Sequence, residues 1–98
     1  MADLPFELQK LPQQALDVLR YFGSNDNAPT DEDSLADGTG LSPRGLGKAI
    51  KRLVTRKFAE MDVNRNYRLT DKGIHLMEEL LDYDAEQGGG AAIPPSGE

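Results

Sequence analysis

Residues 38–59 contain no acidic side chain, and within that run residues 42–57 read as a helix with two opposed faces. Ser42 stands where an N-cap accepts a backbone N–H, and Pro43 suits the first turn, where its missing N–H costs nothing. At 100° per residue, Leu46, Ile50, Leu53 and Val54 share one third of the wheel. Arg44, Lys48, Lys51, Arg52 and Thr55 occupy the opposite third. Such a segment cannot sit in the middle of a core. It must pack one stripe against other elements and hold a cationic stripe in water or against an anionic partner. Gly45 and Gly47 weaken its first turns by up to ~1 kcal/mol each relative to alanine, and they also let the helix approach another surface closely.

The flanking segments supply what that stripe packs on. Leu8, Leu11, Ala15, Val18, Leu19 and Phe22 recur at helical spacing, which predicts a helix over 12–22 with Pro12 in its first turn, Gly23 as its stop and a loop over 24–27. A short helix over 31–37 follows, with Thr30 as N-cap, Leu35 and Ala36 facing inward, and Asp31, Glu32 and Asp33 in a first turn that favours negative charge. Residues 37–41 read as a turn with two glycines. After the cationic helix, residues 58–63 alternate, with Ala59, Met61 and Val63 on one side and Glu60 and Asp62 on the other. Residues 64–66 make a turn with Arg65 at its tip, and 67–69 return, which predicts a hairpin. Thr70 caps a last helix over 71–86, where Ile74, Leu76, Met77, Leu80 and Leu81 spread over nearly half of the wheel. A sector that wide covers either the chain's own core alone or a second subunit as well.

Ninety-eight residues suit one domain, read here as 12–86 with an N-terminal arm over 1–11 and a flexible Gly/Pro-rich tail over 87–98. There are no cysteines, which excludes disulfides, thiol chemistry and cysteine zinc sites. The single histidine, His75, lies beside Glu78 and Glu79 on a solvated helix face and lacks the companions of a metal site. No apolar run reaches ~18 residues and no secretory signal opens the chain, so the expectation is a soluble, cytoplasmic protein with no membrane partner. Gly45-Leu46-Gly47 follows no strand and is not a nucleotide fingerprint. With no nucleophile–base constellation or phosphate loop, an enzyme, a cofactor and a metal are all unexpected.

The net charge of −6 conceals a polarity. Residues 38–72 hold nine basic side chains against three acids, a net of +6, while the rest holds two against fourteen, a net of −12. A chain so divided presents a positive face to a polyanion whatever its total charge.

The order of helix, helix, turn, basic helix, hairpin and helix describes an α+β, mostly α fold. It has a three-helix core, a β-hairpin wing and a C-terminal helix, the layout of a winged helix-turn-helix. Residues 33–42, with Leu35-Ala36 and Thr39-Gly40-Leu41-Ser42, resemble the Leu-Ala…Thr-Gly-Leu-Ser turn of bacterial winged-helix regulators. Residues 50–58 resemble their Leu…Leu…Lys-Gly-Leu helix end, and Tyr67-Arg68-Leu69-Thr70-Asp71-Lys72-Gly73 is similar to the Tyr-x-Leu-Thr-x-x-Gly exit from the wing in MarR-like and PadR-like transcription regulators. The resemblance spans about residues 12–86. The chain departs from the pattern in a short wing, 62–66, and in Phe58-Ala59 where Gly-Leu is usual.

This reading implies a sequence-specific binder of double-stranded DNA with the 42–57 helix in the major groove. That groove admits one helix, whose N-terminal side chains reach base edges. Ser42, Pro43, Arg44 and Lys48 are so placed, with Arg44 suited to a bidentate contact with guanine. Lys51, Arg52 and Thr55 lie further along and meet phosphates, which position without specifying. Arg65 and Arg68 reach minor groove or backbone from the wing, and Thr39 offers a phosphate hydrogen bond; Tyr21, Tyr67 and Tyr83 read as partly buried packing residues, with a flank of the duplex as the alternative for Tyr67. A homodimer through the first and last helices then reads half-sites ~34 Å apart. The alternative is a winged-helix protein–protein interaction module without DNA binding. It would tolerate loss of the basic charges and fail on Leu81→Asp.

Overall fold

A computed structural model describes residues 4–88, so the expected tail lies outside the described residues from position 89 onward. The elements are α1 (Phe6–Gln9), α2 (Gln13–Ser24), α3 (Glu32–Thr39), α4 (Pro43–Thr55), β1 (Ala59–Met61), β2 (Tyr67–Leu69) and α5 (Asp71–Gly88). This is the mostly helical, winged arrangement read from the sequence.

Helix α2 is central and touches α3, α4 and α5. It buries Ala15, Leu16, Val18, Leu19 and Phe22. Helix α4 lays Leu46, Ala49, Ile50 and Leu53 on it. Leu76, Met77 and Leu80 of α5, with Phe58, Ala59 and Leu69 of the hairpin, complete the core. Val54, expected inside, is 40% exposed, and Ala49 takes its place. The buried arc is centred between Leu46 and Leu53, which leaves Val54 on its edge and brings Ala49 within it.

The N-terminal segment is less free than an arm. Leu8 is fully buried, Leu11 is buried, and α1 touches α5. Gly23 does not stop α2, which continues through Ser24. A Cβ at Gly23 would meet Leu81 Cδ1 at 2.9 Å and Met77 Sδ at 3.0 Å, so the glycine serves the close approach of α2 and α5. Arg20 fastens the same pair of helices. It donates to Asp84 through Nε (2.8 Å) and Nη2 (3.0 Å), and to Asp17 through Nη1 (3.3 Å). The Asp84 hydrogen bond raises the guanidinium pKa above its ordinary value, so the cation is fully present across the neutral range.

Asp26 and Asn27 take left-handed φ of 55° and 57°, which their short polar side chains tolerate. Asn27 then pins the loop to β2. Its Nδ2 donates to the Leu69 carbonyl (3.2 Å), and its Oδ1 accepts from the Leu69 N–H (2.7 Å). Thr30 is not the N-cap of α3; Asp31 is, without a side-chain bond. Thr30 instead exchanges backbone hydrogen bonds with Tyr67, at 2.9 and 2.8 Å, adding a third edge to the hairpin. Helix α3 also runs on through Gly38 and Thr39 to a left-handed cap at Gly40, φ 74°.

The strands pair antiparallel, with Ala59 opposite Leu69, Glu60 opposite Arg68 and Met61 opposite Tyr67. Of the alternating set expected to face inward, only Ala59 does. Met61 is 53% exposed and Val63 97%, because the wing projects past the core. Asp62 organises the tip: its Oδ1 accepts from the N–H groups of Asn64 (2.8 Å) and Asn66 (3.0 Å).

Thr70 caps α5 as expected, its hydroxyl accepting from the Gly73 N–H (3.1 Å) and donating to the Lys57 carbonyl (2.6 Å). Most of the wide apolar sector of α5 covers its own core. Leu81, 37% exposed, and the half-buried Ile74 remain at its margins.

The helix-end motif lies one residue earlier than the sequence comparison placed it. Lys57, with φ 65°, occupies the glycine position, and buried Phe58 fills that of the leucine. A lysine in left-handed geometry costs about 1–2 kcal/mol, part of which glycine returns as greater freedom in the unfolded chain. Lys57→Gly is therefore expected to stabilise the fold by about 0.5–1 kcal/mol. A thermal melt at or below that of the wild type would contradict the assignment.

Candidate nucleic-acid interface

The cationic stripe depends on how α4 is started and seated. The Ser42 hydroxyl accepts from the Gly45 N–H at 3.1 Å, and Pro43 opens the first turn. That cap, with the buried stripe of Leu46, Ala49, Ile50 and Leu53, fixes the rotation of the helix about its axis. Arg44, Lys48, Lys51, Arg52 and Thr55 are consequently all exposed on the opposite side. Lys48, Lys51, Arg52 and Thr55 converge on a shallow concavity of about 320 Å³. Arg44 and Pro43 stand apart from it, exposed in the first turn.

Among the described residues, the arginines and lysines in ion pairs are Arg20 and Arg68. The α4 cations are thus uncommitted, and no carboxylate offsets their field at contact distance. Burying α4's apolar stripe holds four like charges together, a repulsion that a polyanion relieves.

The wing residues differ from one another. Arg65 is exposed at the tip with φ 63°, its N–H donating to the Asp62 carbonyl at 3.1 Å. Arg68 donates to Glu60 Oε2 at 3.1 Å across the strands, an exposed pair worth at most about 1 kcal/mol and easily exchanged for a phosphate. Tyr67 is half-buried behind them. Thr39 is spent locally: its hydroxyl donates to the Leu35 carbonyl (2.6 Å) and accepts from the Leu41 N–H (3.3 Å). With its one proton committed, Thr39 holds the α3–α4 turn and has no proton left to donate to a phosphate in this geometry.

Sequence reasoning missed Asp62, Asn27 and the Arg20–Asp84 pair. Asp62 had a local signal, an Asp followed by Asn64 and Asn66, which is the chemistry of an Asx turn. Asn27–Leu69 and Arg20–Asp84 join residues 42 and 64 positions apart, which local patterning does not reach. Among the described residues no cluster of three or more His, Cys, Asp or Glu is placed to hold a metal ion, and no helix is long and apolar enough to cross a membrane.

No protein-family model matches this chain, and no curated protein does. Solved structures do. MepR, a transcription regulator of the Staphylococcus aureus multidrug efflux pump MepA, superposes with a TM-score of 0.68 at 19% identity over 83% of this chain and 63% of its own. A MepR variant bound to an oligodeoxyribonucleotide gives 0.67 at 17% identity, over 83% and 63%. Bordetella bronchiseptica BpsR, whose DNA binding is regulated by 6-hydroxynicotinic acid, gives 0.65 at 26% identity, over 81% and 62%. The chain thus spans under two thirds of the length of these proteins. Its fold is the winged helix-turn-helix of MarR-like transcription regulators.

Proposed function

We propose that this chain is a sequence-specific, double-stranded-DNA-binding transcription regulator of the cytoplasm. It inserts α4 into the major groove and lays the wing around Arg65 on minor groove or backbone. The observation that carries the reading is the stripe of unpaired cations on α4, held outward by the buried stripe behind it. The oligodeoxyribonucleotide-bound MepR variant supports it, since a protein of the same fold engages DNA. Ser42, Pro43, Arg44 and Lys48 face base edges. Lys51, Arg52 and Thr55 face phosphates, and Arg68 joins them once it leaves Glu60. A homodimer through the first and last helices, α2 and α5, belongs to the same reading, with Leu81 and Ile74 as the apolar side chains α5 leaves for it. The exposure of Leu81 also favours a second reading, an interaction module whose partner docks on α5.

An NMR titration with a generic duplex separates the two. Amide shifts are expected to be largest over 42–55 and 64–66. Shifts confined to α1 and α5, or none at all, would overturn the DNA reading.

A further inference from the structure

A groove of about 370 Å³ runs beside α4 toward the wing. Gly47, Ile50 and Val54 form its floor, and Met61 and Tyr67 its far wall. Lys51 borders both this groove and the cationic concavity, so the two are continuous. Two large apolar side chains stand open in it, Val54 at 40% and Met61 at 53% exposure.

Gly47 is the anomaly. A glycine inside a helix weakens it relative to alanine. At Gly73 and Gly38 packing explains the choice, since a Cβ would collide with the Phe58 carbonyl and the Tyr21 ring respectively, and at Gly40 the left-handed φ does. A Cβ at Gly47 would meet nothing within 4 Å. Packing within the folded chain therefore does not account for this glycine, and it leaves the α4 backbone open to the groove.

We infer that the sugar–phosphate backbone of one DNA strand crosses α4 at Gly47, passing from the major groove toward the wing. This rests on the proposed function and deepens it. The apolar floor and wall take the carbon faces of the deoxyribose, and Lys51 takes the phosphate. The absent side chain lets the strand approach the helix backbone. Glu32 borders the groove on the far side and repels phosphate, which keeps the strand on the Lys51 side.

Gly47→Ala and Gly47→Gln test this, because the two consequences have opposite signs. Both variants are expected to melt higher than the wild type, by roughly 4 °C or more, since each restores helix propensity without a clash. Both are expected to bind a generic duplex more weakly in fluorescence anisotropy, slightly for alanine and by about tenfold or more for the longer glutamine, which fills the groove. Higher melting with wild-type affinity would overturn the inference and leave the DNA reading standing. Lower melting with weaker binding would assign Gly47 to packing and overturn it too. A wild-type protein that binds no duplex would overturn both.

Discussion

Gly73→Ala is expected to destabilise this fold by about 3 kcal/mol or more, the upper range for overpacking a closed site. The added Cβ would collide with the Phe58 carbonyl oxygen and lie 2.8 Å from its carbon. That carbonyl cannot retreat cheaply. It accepts the Thr70 N–H at 3.0 Å, and the preceding Lys57 carbonyl accepts the Thr70 hydroxyl. The first turn of α5 is thereby bolted to the end of α4 through Thr70, and Gly73 sits in the seam. Domains of this size have only about 5–15 kcal/mol of stability to lose. A urea titration should show the midpoint falling steeply at unchanged slope. Gly38→Ala is the comparison: its clash is with the Tyr21 ring, which can swing, so the loss should be smaller. A Gly73→Ala protein within about 0.5 kcal/mol of the wild type, the range of neutral surface changes, would show the seam to be wrongly drawn.

The combined variant Arg44→Glu, Lys48→Glu, Lys51→Glu is expected to lose duplex affinity by roughly 1,000-fold at low salt, because non-specific binding is electrostatic and the reversal turns the attraction of this face for a polyanion into repulsion, besides removing the Lys51 phosphate contact. It leaves Arg52 as the one cation among the four on this face. The fold should survive. All three residues are exposed and, among the described residues, none is in an ion pair. A carboxylate at position 44 would also sit in the first turn of α4, where the helix dipole favours it. Circular dichroism and a melt near that of the wild type would establish that lost binding is lost contact.

Much of this was readable from residue order alone, for particular reasons. Ser42-Pro43 marks the start of α4 chemically, and Thr70 followed by Gly73 marks that of α5, so both caps and the cationic face follow from local rules. The boundaries of α2 and α3 did not follow. Gly23 and Gly38 look like breakers, yet both are helical because the opposing helix and the Tyr21 ring need the space. Thr30 looks like a cap, yet strand pairing with Tyr67 claims it. Thr39 looks free to meet a phosphate, yet its hydroxyl proton closes its own helix. Val54, Met61 and Val63 alternate or recur as core residues do, but the core ends before it reaches them. For the glycines and Thr30 a partner distant in sequence overrode the local signal, for Val54, Met61 and Val63 the edge of the core did, and for Thr39 a competing local hydrogen bond to Leu35 did.

The central claim is that α4 carries duplex binding through its uncommitted cations. Paired anisotropy titrations of the wild type and the triple-reversal variant, with one generic duplex over a range of salt, test it most directly. The account predicts that log affinity of the wild type falls linearly with log salt, with a slope of about −0.9 per phosphate neutralised, and that the folded variant binds roughly 1,000-fold more weakly at low salt. Wild-type affinity that is absent at tens of micromolar protein in low salt, or retained in the folded variant, would contradict it.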